Sequence, residues 1–204
     1  MKTIFLIFCF VILSSLQVLA QQECNDVTCP EGWTMTSTGW VTLKVNENPD
    51  VYCTVYICYC VDFSEEEGPN FYVKKIMWQD PDCIENVDWE IFKLSMIGEF
   101  IKQHVTVFPL TECPDINMQY TCELYISYCL ADFLHNGIPT SVACLGDGYC
   151  AQAYNYCWDT STQPWTLVVK KQGQAISYSE DCTEPHPNEE PEWVLINSCY
   201  PVCP

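Results

Sequence analysis

The sequence predicts a mainly β, disulfide-rich fold: small antiparallel sheets and hairpins with one amphipathic helix near residues 86–105. Three observations carry that class. Cysteine is dense, with sixteen in 204 residues. A Cys-x6-Cys segment rich in tyrosine and β-branched residues recurs three times. A single stretch has apolar residues at helical rather than strand spacing.

Residues 1–20 have the pattern of an export signal. Lys2 supplies a positive start, Ile4 to Leu13 an apolar core, and Val18 and Ala20 suit a signal peptidase, so the exported chain is expected to begin near Gln21. Cys24 follows Gln21, Gln22 and Glu23, which argues against lipid attachment at a cysteine directly after the cleavage site. No later segment approaches the roughly 18 apolar residues of a membrane span.

Removing Cys9 with the signal leaves fifteen cysteines, a density that suits an oxidising compartment. Structural zinc sites favour CxxC pairs, and the chain has none. His104, His135 and His186 lie apart, with no HExxH spacing. Disulfides are therefore expected at Cys24, Cys29, Cys53, Cys60, Cys83, Cys113, Cys122, Cys129, Cys144, Cys150, Cys157, Cys182, Cys199 and Cys203, and no cofactor is expected. Cys24 with Cys29, and Cys199 with Cys203, read as clips on the chain ends.

The recurring segments are CTVYICYC (53–60), CELYISYC (122–129) and CAQAYNYC (150–157), a degenerate internal repeat. A further cysteine follows each: Cys83, Cys144 and Cys182. Their composition favours strand. Side chains alternate along a strand, so Cys53, Val55, Ile57, Tyr59 and Val61 share one face, and Thr54, Tyr56, Cys58 and Cys60 the other. The second segment puts Cys122, Leu124, Ile126, Tyr128 and Leu130 on one face. Seven residues of strand separate the end cysteines by about 23 Å, whereas a disulfide spans a Cα separation of only about 4.4–6.8 Å. Each end cysteine must therefore bond elsewhere.

Around these segments, GWVTLKV (39–45) alternates as a strand and NENPD (46–50) turns into the first segment. Asn136-Gly137 is a hairpin signal. GDG (146–148) turns into the third segment, and TSTQP (160–164) and QGQ (172–174) bracket the strand-like WTLVVKK. In the helical stretch Trp89, Phe92, Met96, Ile97, Phe100, Ile101 and Val105 form the apolar side, with Asn86 or Asp88 as cap and Glu90, Lys93 and Glu99 on the polar side. SEEEGPN (64–70) and EPHPNEEPE (184–192) read as solvated loops. VFPLTECPD (107–115) reads as a connector between a β-rich half over 21–112, ending in the helix, and a β-rich half over 113–204 carrying two repeat copies; one continuous domain is also compatible with this length.

Fifteen is odd, so one cysteine lacks an internal partner. Ser127 and Asn155 occupy the position of Cys58 in the other two segments, which nominates Cys58 as a free thiol or as the bridge of a disulfide-linked dimer. No basic neighbour flanks it to make a nucleophile. Asp80, Asp82 and Glu85 form a weak calcium candidate around Cys83. Asp132 and His135 make a DxxH pair that the adjacent turn explains equally well. Trp33, Trp40, Trp78, Trp158 and Trp165 suit either a core over the cystines or a carbohydrate-binding surface, and the core is the favoured reading.

The chain carries a formal net charge of −19 and contains no arginine, which makes nucleic acid and anionic lipid poor partners. No GxSxG, P-loop, GxGxxG or EF-hand motif is present. GYCAQAYNYCWD (148–159), CPEGW (29–33) and a helix leading into VFPLTECP resemble uncharacterised secreted cysteine-rich proteins of Bacteroidetes-type bacteria, and the resemblance implies export from a bacterium without implying any site. The expected function is that of a secreted, disulfide-stapled, non-catalytic binding or structural protein whose partner is an extracellular protein or glycan. A carboxylate-dependent polysaccharide hydrolase and a secreted inhibitor or effector are the alternatives.

Overall fold

The computed structural model describes residues 24–63, 69–107, 112–113, 120–144, 148–178 and 193–203. The expected signal (1–20), most of the loop at 64–70, the acidic segment 184–192 and Cys182 lie outside them. Among the described residues nine strands form one mixed sheet: β1 Thr34–Glu47, β2 Asp50–Asp62, β3 Asn70–Trp78, β4 Tyr120–Ser127, β5 Cys129–His135, β6 Ile138–Ala143, β7 Tyr149–Asp159, β8 Thr166–Tyr178 and β9 Trp193–Pro201. Two helices follow β3, the single turn α1 Asp82–Glu85 and the longer α2 Trp89–Gln103. The disulfide-rich, mainly β class is as expected, but the strands join one sheet instead of several small ones.

The sheet forks at β3. Strands β1, β2 and β3 make an antiparallel meander, and β2 occupies one edge of β3 along its whole length. The other edge is shared end to end. Asn70–Val73 pair in parallel with β4, while Lys75–Met77 pair antiparallel with β6. One branch continues through β7 to β8, the other through β5 to β9. The chain passes between branches at Tyr128, whose N–H donates to the Gly148 carbonyl and whose carbonyl accepts from Val202 N–H, both at 2.9 Å. The two expected halves thus contribute strands to the same sheet.

Local chemistry explains most element boundaries. The β5–β6 connection is a two-residue turn at Asn136-Gly137, with φ of 51° and 80°, the left-handed pair that a type I′ hairpin requires. The β1–β2 turn falls within the expected NENPD stretch. QGQ does not end a strand: β8 runs through it to Tyr178, and Gly173, at φ 67°, sits where β8 carries extra residues against Ala151–Ala153. Glycine makes such a bulge accessible without breaking the ladder.

Helix α2 starts at Asp88, whose carboxylate accepts from Glu90 N–H at 3.0 Å and Ile91 N–H at 3.3 Å. Its Phe92, Met96, Ile97, Phe100 and Ile101 are fully buried against Val55, Ile57, Tyr59, Phe71, Trp78, Leu124 and Ile126. The strand parity read from the sequence holds. Cys53, Val55, Ile57, Tyr59 and Val61 face this main core, while Tyr56 and Cys58 face a second one with Cys24 and Met77. Both sides of β2 are buried because α2 covers one and the segment at 24–33 covers the other.

Disulfides fix that covering segment. Cys24 bonds Cys58 and Cys29 bonds Cys60, so two cysteines on one face of β2 hold two in the chain lying across it. Cys53 bonds Cys83 at the start of α1, and Cys113 bonds Cys157. Cys144 bonds Cys199, and Cys150 bonds Cys203, tying β7 of one branch to the residues after β9 of the other. Cys129 is also disulfide-bonded. In the first and third segments the end cysteines bond away from each other, as strand length demands.

Candidate functional site

Several expected site residues occupy other roles. Cys58 is not a free thiol: it is fully buried in its bond to Cys24, which leaves no thiol there for a dimer bridge. Comparison with Ser127 and Asn155 misled because Cys24, in the chain lying across β2, sits over Cys58 and bonds it. Among the described residues the free cysteine is Cys122, buried on the core face of β4 with its thiol 3.7 Å from the Tyr154 carbonyl. Burial pushes its pKa up to about 12, the opposite of what a nucleophile needs. The Cys24–Cys29 and Cys199–Cys203 clips do not form, since all four cysteines bond elsewhere.

Asp80, Asp82 and Glu85 do not converge as a calcium site. The Asp80 carboxylate accepts from Asp82 N–H at 3.0 Å, an Asx turn leading into α1. Among the described residues no group of three or more His, Cys, Asp or Glu side chains is placed to hold a metal ion. Lys93, expected on the polar side of α2, is instead buried, with its ammonium 2.5 Å from Glu90. Lys171 of β8 reaches the same carboxylate. Burial alone would raise the Glu90 pKa, but the hydrogen bonds and charges of the two lysines outweigh it and hold the carboxyl below its ordinary range.

Among the described residues a polar cluster centres on Asp132, a fully buried residue of β5. Its Oδ1 accepts from Ser141 Oγ at 2.5 Å and from Tyr200 OH at 3.0 Å, and its Oδ2 accepts from Asn197 Nδ2 at 3.0 Å. Trp78 Nε1 donates in turn to Ser141 Oγ at 2.8 Å. Burial, followed by the Asp132 charge, pushes Tyr200 far above its ordinary pKa. Strands β6 and β9 meet β5 at this carboxylate, β3 joins the cluster through Trp78 and Ser141, and two of the carboxylate's donors come from β9. Asp132 has no exposed surface, and its hydrogen bonds tie β9 and β6 to β5. His135, the other half of the DxxH pair, turns outward and stacks on Trp193 with ring centroids 4.0 Å apart.

A second cluster sits at the end of α2. The Tyr59 hydroxyl lies 2.9 Å from His104 Nε2 and 3.2 Å from Gln103 Oε1, and its ring stacks on Phe100 at 4.0 Å. Desolvation lowers the His104 pKa and raises that of Tyr59. His104 also packs against Phe63 and Phe71, so it is enclosed by aromatic rings on several sides.

What the described surface offers is apolar and aromatic. Of the tryptophans weighed from the sequence, Trp78 is core, Trp33 and Trp158 are half-buried, and Trp40 and Trp165 are about half exposed at 47% and 48%. Trp33, Tyr72, Tyr125 and Tyr149 form a half-buried row across β3, β4 and β7, with successive centroids 5.8–6.5 Å apart. Lys74 lies over Tyr72 at 3.6 Å, and Tyr125 hydrogen-bonds Glu123. The rings meet mostly edge-to-face and tilted, so much of each aromatic face is taken by its neighbour. The second apolar feature is β9, where Val194, Leu195 and Ile196 are 60%, 48% and 45% exposed in succession. Among the described residues no helix is long and apolar enough to cross a membrane. No family model, curated protein or solved structure matches the chain.

Proposed function

We propose that this is an exported, disulfide-stapled, non-catalytic binding or structural protein that works through surface contact with an extracellular protein or glycan. The disulfides support an oxidising compartment, and residues 1–20 supply the export signal read from the sequence. One observation carries the binding reading above all. The groups best suited to chemistry, Asp132 and Cys122, are buried in structural contacts, while apolar side chains stand exposed on strands anchored by cystines. A rigid, pre-ordered surface loses little conformational entropy when a partner docks. Screening the protein lacking residues 1–20 on glycan and extracellular-protein arrays tests this. Saturable binding without turnover is expected. Turnover of a polysaccharide with no retained ligand overturns it.

A further inference from the structure

Trp33, Tyr72 and Tyr125 come together from three parts of the chain. Tyr72 and Tyr125 are register partners on the adjacent strands β3 and β4. Their neighbours Phe71, Val73, Leu124 and Ile126 face the main core, so the two rings stand on the opposite face of the sheet. Trp33 is delivered by the chain lying across β2. Its N–H donates to the Pro30 carbonyl at 3.1 Å, closing a turn in which Gly32 takes a φ of 85°, a left-handed value suited to glycine. The Cys29–Cys60 bond anchors that turn to the sheet. The Trp33 plane stands at 74° and 83° to the two tyrosines, which are 55° to each other, and the three centroids lie 6.0–6.5 Å apart. Rings inclined in this way bound a corner and leave no flat platform on which a sugar ring could stack.

One wall of the corner already carries a cation. Lys74 Nζ lies 3.6 Å from the Tyr72 centroid, and desolvation of this half-buried side chain lowers its pKa. A carboxylate stands beside the rings, since the Tyr125 hydroxyl donates to Glu123. Resting on the binding reading above and naming its ligand chemistry, we propose that this corner binds a quaternary ammonium group, the trimethylammonium of a choline or of an Nε-trimethylated lysine side chain, with Lys74 giving way to it. Aromatic faces attract cations through the ring quadrupole, and several rings around one cation are the usual receptor for quaternary ammonium. A primary ammonium is strongly hydrated and gives up that water when laid on a ring. A trimethylammonium has no N–H to desolvate and presents methyl groups to every wall. Glu123 supplies the nearby negative charge, and the net charge of −19 favours cations over anions around the chain.

Calorimetric titration of choline into the protein lacking residues 1–20 tests this, beside the neutral isostere in which tert-butyl replaces trimethylammonium. Saturable binding of choline at one site is expected, with the isostere weaker by about tenfold or more. Lys74→Gln should tighten choline by about threefold or more, because it removes the competing ammonium. Lys102→Gln makes the same charge change at an exposed position of α2 and should leave the affinity within about twofold. Tyr72→Leu and Glu123→Gln should weaken binding, with circular dichroism confirming that both fold. The gain in Lys74→Gln is a readout that loss of structure does not produce. Phosphocholine and Nε-trimethyl-lysine, titrated in parallel, assign the source: tighter binding of the first points to a choline-bearing glycoconjugate, of the second to a methylated protein. Equal binding of the isostere, an affinity for choline unchanged or weakened in Lys74→Gln, or equal tightening in Lys102→Gln overturns the inference. Absence of choline binding beside a saturable array ligand overturns it and leaves the broader binding reading standing. Polysaccharide turnover with no retained ligand overturns both.

Discussion

Replacing Asp132 with alanine tests the polar cluster that joins the β9 branch to the rest of the sheet. The carboxylate accepts three hydrogen bonds, from Ser141, Tyr200 and Asn197, and is fully buried. Removing it leaves three donors short of their acceptor, each costing about 1–1.5 kcal/mol, which gives a loss of about 3–4.5 kcal/mol in unfolding free energy. Asp132→Asn keeps an acceptor for Ser141 and Tyr200 and faces Asn197 with a second amide, so about 1–2 kcal/mol is expected. Tyr200→Phe removes a single bond and should cost about 1 kcal/mol. Urea unfolding with disulfides intact gives the midpoints, and amide exchange resolves where the structure loosens. Exchange should accelerate in β5, β6 and β9 before β1 and β2. An Asp132→Ala protein within about 0.5 kcal/mol of wild type, the range of ordinary surface changes, refutes the reasoning.

Two further outcomes follow from the same structure. The Cys53–Cys83 bond closes a loop of sequence separation 30, so the double alanine variant should lose about 3.5 kcal/mol on the chain-entropy relation, read by urea unfolding against wild type. His104 is held below its ordinary pKa of 6.5 by desolvation. The unfolded chain therefore binds more protons than the folded one as pH falls below about 6.5, and stability is lost in that direction. In His104→Gln, the slope of unfolding free energy between about pH 6.5 and pH 5 should flatten; an unchanged slope points to another group.

Sequence legibility varied by element for physical reasons. The faces of β2 and β4 were readable because period-two alternation fixes them once a strand is granted. The helix was readable because Phe92, Met96, Ile97, Phe100 and Ile101 recur at one period and Asp88 caps it. The Asn136-Gly137 turn was readable because few residues adopt left-handed backbone. The forked pairing of β3 was not, since it depends on where β4 and β6 stop, and no local signal marks that. Cys58 was misread because its partner comes from a segment with no strand or helix of its own. The spacing of Cys58 and Cys60 did hold a clue: two cysteines on one strand face suit two cysteines in an overlying chain, which Cys24 and Cys29 provide. The Asp132 cluster was invisible because its donors lie 9, 65 and 68 residues away in sequence. Buried Lys93 broke the helical pattern for a related reason, since Lys171, which shares its carboxylate partner, sits on β8.

The strands carrying the first and third Cys-x6-Cys segments are pinned outward, by bonds to the covering chain, to α1 and to Cys113 and Cys203, and among the described cysteines Cys122 is the thiol left over. Peptide mapping without reduction tests this most directly, with alkylation before and after unfolding of the protein lacking residues 1–20. The expected result is linked peptides containing Cys24–Cys58, Cys29–Cys60 and Cys53–Cys83. Cys122 should resist alkylation in the folded state and react only after unfolding, as its burial and raised pKa require. Alkylation of Cys58, a Cys24–Cys29 peptide, or a dimer linked through Cys58 would contradict it.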